Sequence, residues 1–329
     1  MGLEIMTYRS NWIVAILLAC ALPTAAAQEG PTFPNKPIRL VVTTAPGTGS
    51  DAIARLIENG MQQALGQPVV VDNRPGAGGA LGMELVAHAP PDGHTIVMGA
   101  EGTTMVLPAI NPNAKYHTEV DFMPVAGLFR TAFVIVTANA PTAPKTLLEL
   151  IDRAKKENLS YGSSGVGTIT HLASEMFIGR AGIKLTHVPY KGAGQSLTDT
   201  IAGHVAMVTD TPPAVLPLVR SGKLRALAIL SAERLSSMPD VPTVQELGFP
   251  GLVAAGTWGL LAPAGTPATV VKKLSDAAIK ALQAPEVKSK AQAMELEIMS
   301  LGPDAYGSYM KTYTPVWTEV IKKGNIRVD

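Results

Sequence analysis

The sequence predicts an α/β fold in two parts, and three observations carry that expectation. Short β-branched apolar runs alternate with amphipathic helical segments along most of the chain, the pattern of repeated βα units. The 329 residues are 47% hydrophobic and 16% charged, enough apolar material for sizeable cores. At roughly 150 residues per domain, that length suggests two domains. Lys and Arg number 27 against 26 Asp and Glu. With so even a balance there is no basic field to hold a polyanion, and nucleic acid is excluded as an expected partner.

Residues 1–27 read as an export signal. An apolar run from Trp12 to Leu22 is followed by Pro23 and by Ala25-Ala26-Ala27, a small-residue cleavage site. The run is shorter than the roughly 20 apolar residues a membrane span needs. Cleavage after Ala27 removes Cys20, the only cysteine, so the mature chain has no disulfide and no thiolate site. The alternative, a lipid-modified Cys20, fits less well because Leu18 is awkward there and the apolar run would be cut short.

Residues 38–42 form a buried strand run, and 44–50 a turn-rich loop. Ile53, Leu56, Ile57, Met61 and Leu65 then follow helical spacing, with Ser50 as the expected N-cap. A second strand begins at Val69, glycine-rich 76–82 leads into a helix ending near His88, and 95–98 is a third strand. Residues 122–129 and 133–137 read as strands, and Thr146 to Glu149 is a capping box opening a helix to about Asn158. Strands at 159–162, 185–190, 205–209 and 224–230 alternate with helices at 168–178, 195–202 and 213–220. Two long helices, 267–283 and 304–322, close the chain. The alternation predicts mainly parallel sheets, with strands near 130 and 252 crossing between the halves.

Catalytic motifs fail one by one. His88, His94, His117, His171, His187 and His204 form no H-x-H or H-E-x-x-H pattern, so they read as surface or hydrogen-bonded structural histidines and no metal is expected. Gly162-Ser163-Ser164-Gly165 invites a serine-hydrolase reading, but the nucleophile elbow needs glycine at Val166. Gly76–Gly82 nearly matches a dinucleotide fingerprint with its last glycine one place late, and 47–51 lacks the lysine of a phosphate loop. The expectation is a protein without cofactor that is not an enzyme.

Two loops share one construction of strand, Gly/Ser/Thr loop and helix start: Thr44, Thr48, Gly49, Ser50 and Asp51 in the first; Ser163, Ser164, Gly165, Val166, Gly167 and Thr168 in the second. Glycine lets a ligand approach the backbone, hydroxyls add adjustable donors, and a helix start presents free N–H groups with about half a positive charge. That is an anion site. Neither loop contains Lys or Arg, so a bound anion is held by dipoles and hydrogen bonds. Ordinary capped βα turns are the alternative reading.

Pro34–Val42, Ala45-Pro-Gly-Thr-Gly-Ser-Asp51 and Leu65–Gly79 closely resemble the Bug family, the extracytoplasmic solute receptors of tripartite tricarboxylate transporters. The resemblance continues through Pro91-Asp-Gly93, Tyr161–Thr168 with His171-Leu-Ala173, His187–Gly192, Gly222–Ala228, Pro239–Thr243 and Trp258–Pro267. It implies a two-lobed type II periplasmic-binding-protein fold with a ligand cleft between the domains. Residues 28–131 and 253–329 would form domain 1, and 132–252 domain 2.

The resemblance further implies a carboxylate, mono- or dicarboxylate, contacted by Thr48–Asp51 and Ser163–Thr168. Tyr190, Gly192 and Asp210 fall at family positions near the cleft; Tyr190 and Trp258 have hinge or core packing as their alternative. Asp51 and Asp210 have structural alternatives too, since a carboxylate repels an anionic ligand. One departure stands out: Thr43-Thr44 replaces the family's common Pro-Phe, which makes the pocket roomier or more polar. The implied protein is a periplasmic monomer delivering its ligand to transporter membrane subunits, with a co-receptor for a membrane sensor kinase as the alternative.

Overall fold

In a computed structural model of the chain, residues 32–324 are described apart from Pro112 and Val253, together with Met1. The export signal and Cys20 lie outside the described residues. Ile38, Leu40 and Val42 alternate with Val41 on two buried faces, and this makes β1 (Ile38–Val42) a central strand. Then come α1 (Gly49–Leu65), β2 (Val69–Asn73), α2 (Ala80–Ala87) and β3 (Thr95–Ala100). A π-helical turn over Gly102–Val106 leads into α3 (Leu107–Ile110), α4 (Thr118–Asp121) and β4 (Phe122–Ala132). The next stretch holds β5 (Val134–Ala138), α5 (Leu147–Ala154), β6 (Ser160–Ser163), α6 (Ile169–Ala181), β7 (Thr186–Pro189) and α7 (Ala193–Ala202). After β8 (Met207–Asp210), α8 (Pro212–Arg220) and β9 (Leu224–Ile229), the chain returns through β10 (Ala255–Pro263), α9 (Ala268–Leu282), α10 (Pro285–Ala293), β11 (Glu297–Leu301) and α11 (Pro303–Gly324).

The strands form two sheets, ordered β11-β4-β10-β3-β1-β2 and β7-β6-β8-β5-β9. Both are mixed, which corrects the expectation of mainly parallel sheets. β1 is parallel to β2 and β3, and β6 to β7 and β8, but β10, β4 and β11 pair antiparallel, as does β5 with β8 and β9. The chain passes between the sheets from β4 to β5 and from β9 back to β10. Ala132 ends β4 and Val134 opens β5 with no helix between, so no crossover returns the strand to a parallel setting.

β10, α10 and β11 are among the elements that escape the sequence pattern, as are the short α3 and α4. β10 carries Gly256 and Gly259 and is buried on both faces, so it shows no alternation. α10 is predominantly polar, and β11 is a half-buried edge strand. The cap of α1 is Thr48, whose hydroxyl accepts from Asp51 N–H, rather than Ser50. α5 stops at Ala154, because Lys155–Asn158 offers no apolar side chain to bury.

Glycine sets how closely the layers approach. Tyr306 of α11 covers Gly259 of β10 and Gly127 of β4, where a Cβ would fall 2.2 Å and 2.8 Å from ring atoms. At Gly60 of α1 a Cβ would lie 2.6 Å from the Cβ and 2.9 Å from the Cα of Ala281 in α9. Gly60→Ala is therefore expected to destabilise the protein by about 1–3 kcal/mol by prising α1 from α9, read from its denaturation midpoint. Stability equal to the parent would mean the helices separate freely.

Candidate functional site

Each sheet contains a point where successive connections leave on opposite faces. In the first, α1 packs on the face of Leu40 and Val42, while α2 packs on the face of Val41 and Val97. The carboxyl ends of β1 and β3 are therefore flanked by diverging segments. In the second, α6 covers the face of Tyr161 and Met207, and α7 and α8 the face of Val208. That places β6 and β8 in the same relation. Ligands of open α/β sheets bind at such switch points. Four segments border these points: those after β1, β3, β6 and β8.

The loop after β1 is internally bonded. Thr44 Oγ1 lies 2.7 Å from Thr48 Oγ1, and Thr48 Oγ1 donates to Ala45 O at 2.9 Å. Ser50 Oγ accepts from Trp258 Nε1 at 2.9 Å, which ties the helix start to β10. The Asp51 carboxylate is buried and accepts from Gly47 N–H, Arg55 and Asn73. Burial pulls its pKa upward, but these donors outweigh burial and hold it below the ordinary carboxylate value. Asp51 is thus engaged in shaping the loop. The first helix bond is Ala52 N–H to Thr48 O, leaving the N–H groups of Gly49 and Ser50 without a helix partner.

The loop after β6 is held from beneath. Ser163 is fully buried, its Oγ 2.7 Å from His187 Nε2 and 3.1 Å from both the N and the O of Gly165. Ser164 N–H donates to Thr170 Oγ1, and buried Gly167 donates its N–H to His171 Nδ1 at 3.0 Å. Thr168 is the N-cap of α6, yet its hydroxyl turns back to Gly165 O, and no side chain caps the helix. The first bond of α6 is Leu172 N–H to Thr168 O. The amides of Ile169, Thr170 and His171 therefore stay free of helix partners, with half-exposed Ser164 and exposed Val166 nearby.

Tyr190 lies against this loop. Its ring is 3.1 Å from where a Cβ on Gly162 would sit, and its hydroxyl donates to Asp199 at 2.7 Å. Gly192 is the N-cap of α7, again without a side-chain bond. Asp210 ends β8. Its Oδ1 accepts from Thr211 N–H at 2.7 Å, while Oδ2 is buried without a partner. Burial pushes its pKa up to about 6. Pro212 and Pro213 remove two donors from the start of α8, so that helix end is no anion site.

The segment after β3 escaped sequence reasoning, although Gly99-Ala-Glu-Gly-Thr-Thr104 repeats the strand–glycine–threonine construction of the other two loops. Gly102 meets the start of α6: a Cβ there would stand 3.4 Å from Ile169 N. Thr103 and Thr43 pack on Gly79, which connects this segment to the end of β1. Next to Gly102, the Glu101 side chain turns away into the core, 2% exposed, accepting from Thr257 Oγ1 at 3.2 Å and from Trp317 Nε1. Burial pushes its pKa up to about 8, so at neutral pH it is largely uncharged and does not repel a neighbouring anion. Among the described residues no group of three or more His, Cys, Asp or Glu side chains is placed to hold a metal.

Two mixed sheets with ligand-type switch points define the periplasmic-binding-protein class. The fold matches the structure of the periplasmic binding protein BugD with a TM-score of 0.82 and 30% identity, covering 90% of this chain and 99% of that one. Residues 53–326 match the tripartite tricarboxylate transporter family receptor, TctC, and the chain belongs to that family of periplasmic solute-binding receptors. MatC from Rhodopseudomonas palustris, with bound malate, aligns at TM-score 0.81 and 32% identity over 88% of this chain and all of that one. R. palustris Rpa4515 with adipate aligns at 0.84 and 30%, over 90% and 99%.

Proposed function

We propose that this protein is a periplasmic receptor for a small mono- or dicarboxylate, which it delivers as a monomer to the membrane subunits of a tripartite tricarboxylate transporter. Residues 28–131 and 253–329 form one lobe of this reading and 132–252 the other, with the ligand between them. The observation that carries it is the uncapped start of α6, whose free amides stand against Gly102 from the other sheet. Thr44, Thr48, Gly49 and Ser50 supply the opposite wall. Gly165, Val166, Thr168, Tyr190, Gly192 and Asp210 surround the amides, while Asp51, Ser163 and Gly167 hold the loops in shape. Malate and adipate in two relatives support a carboxylate as the ligand class.

Closure over a ligand removes the anion from water among donors already in place, so none needs reorganising. A panel of mono- and dicarboxylates including malate and adipate, followed by thermal melting, tests the reading. At about 100 times its Kd a cognate ligand adds about 2.7 kcal/mol, a rise of roughly 5 °C for a chain of this size. A panel in which no carboxylate moves the melting temperature overturns it.

A further inference from the structure

Beneath the second loop lies a group of side chains that a capped βα turn does not require. Tyr161 of β6, His187 of β7 and His171 of α6 stack in a row. The two imidazoles are 3.8 Å apart and 9° from parallel, and the phenol ring is 4.9 Å from His187. His171 is 5% exposed. The titratable groups facing the pair are Tyr161 and, through the Tyr161 hydroxyl, Glu175. Among the described residues neither imidazole bonds a carboxylate: His187 pairs with Ser163 and His171 with Gly167. Burial opposes a positive charge on either ring and pushes His187 down to about 4; for His171 the neighbouring His187 adds to burial and the value falls to about 3.

What the rings do hold is the loop. His171 Nδ1 accepts the Gly167 N–H, so this nitrogen carries no proton and the hydrogen resides on Nε2. His187 Nε2 grips Ser163 Oγ, which in turn closes on Gly165. The two glycines they fix have φ of +135° at Gly165 and +72° at Gly167, conformations that an unrestrained peptide readily leaves. We propose that His171 and His187 are positioning residues: a neutral, stacked imidazole latch that fixes both ends of loop 163–168 and thereby aims the free amides of α6 at the ligand. The aiming step rests on the carboxylate-receptor reading; the latch itself does not.

A latch of this kind serves a loop that contains no Lys or Arg. Dipolar donors hold an anion well only when they converge on one place, and each bond they lose weakens binding. His171→Phe keeps a stacked ring and removes the acceptor, whereas His171→Asn puts an acceptor back near the position of Nδ1. His187→Phe and His187→Gln are the matching pair at Ser163. The full exported chain is used throughout, with amide exchange at residues 163–171 and affinity for whichever of malate or adipate binds the parent.

His171→Phe is expected to speed exchange at the Gly167 amide, and His187→Phe at the Gly165 amide that Ser163 Oγ accepts, each weakening the carboxylate by about tenfold, the worth of one lost hydrogen bond. Asn and Gln are expected to restore both to within about threefold. Unchanged exchange in the Phe variants, or Asn and Gln as impaired as Phe, overturns the proposal. Should a variant not fold, the nitrogen shifts of the parent decide: a protonated Nδ1 on His171 removes the latch. If neither carboxylate binds the parent, the receptor reading loses its ligands while exchange and tautomer still judge the latch.

Discussion

Gly102→Leu is expected to abolish carboxylate binding, by about 100-fold or more, while leaving the ligand-free protein folded. The free amides at the start of α6 stand against Gly102 of the segment after β3. A methyl there would already stand 3.4 Å from Ile169 N, at the near edge of ordinary contact. Leucine carries its remaining atoms beyond that point, over the amides themselves. Gly102 is half-exposed and outside the left-handed backbone region, so a larger residue strains neither core nor chain. Gly102→Ala should weaken binding only a few-fold, and the graded pair separates occlusion from a general loss of structure. Calorimetric titration of both variants with malate and adipate reads the result. A Leu variant that binds within about threefold of the parent would remove the α6 amides from the site.

This residue also marks the limit of what could be read in the chain. Loops 44–51 and 163–168 are legible because their construction is local: strand, glycine and hydroxyl residues, helix start. The segment 99–104 has the same local signature but runs into a π-helical turn, where apolar spacing no longer follows a standard helix. The roles of His171 and His187 were invisible for another reason. They sit on different elements 16 positions apart, and only the pairing of β6 with β7 brings the rings together. Tyr306 over Gly127 and Gly259 is the same case in the core, where three distant elements must assemble before the missing side chains have a purpose. Asp51 is mixed: its place at the helix start was legible, but its partners Arg55 and Asn73 depended on the β1–β2 pairing as well as helical spacing. β10 lacked a periodic signal because both its faces are buried.

Glu101→Gln should flatten the loss of stability with rising pH between about 6.5 and 8. In the folded chain Glu101 titrates at about 8 against an ordinary value of 4.5. Below 4.5 the carboxyl is protonated in both states and its contribution is fully present. As pH rises toward 8 the unfolded chain sheds the proton and the folded chain keeps it, so stability falls; above 8 the loss is complete. Three other buried groups titrate in different ranges. Asp210, raised to about 6, acts in the same direction but at lower pH. His171 and His187, lowered to about 3 and 4, destabilise the fold as pH falls below their ordinary 6.5.

Between 6.5 and 8 Glu101 therefore dominates among these groups, at up to about 1.4 kcal/mol per pH unit. The parent should lose roughly 3 °C in melting temperature across that window. The Gln variant should lose little of it, since glutamine still accepts from Trp317 and can bond Thr257. An equal slope in both proteins would place the titration elsewhere. Carboxylate affinity at neutral pH should survive the change, because the parent side chain is already largely uncharged there. In its neutral form the buried acid one residue from Gly102 adds no repulsion to a bound anion, so stability and binding in the Gln variant together test whether the site relies on it.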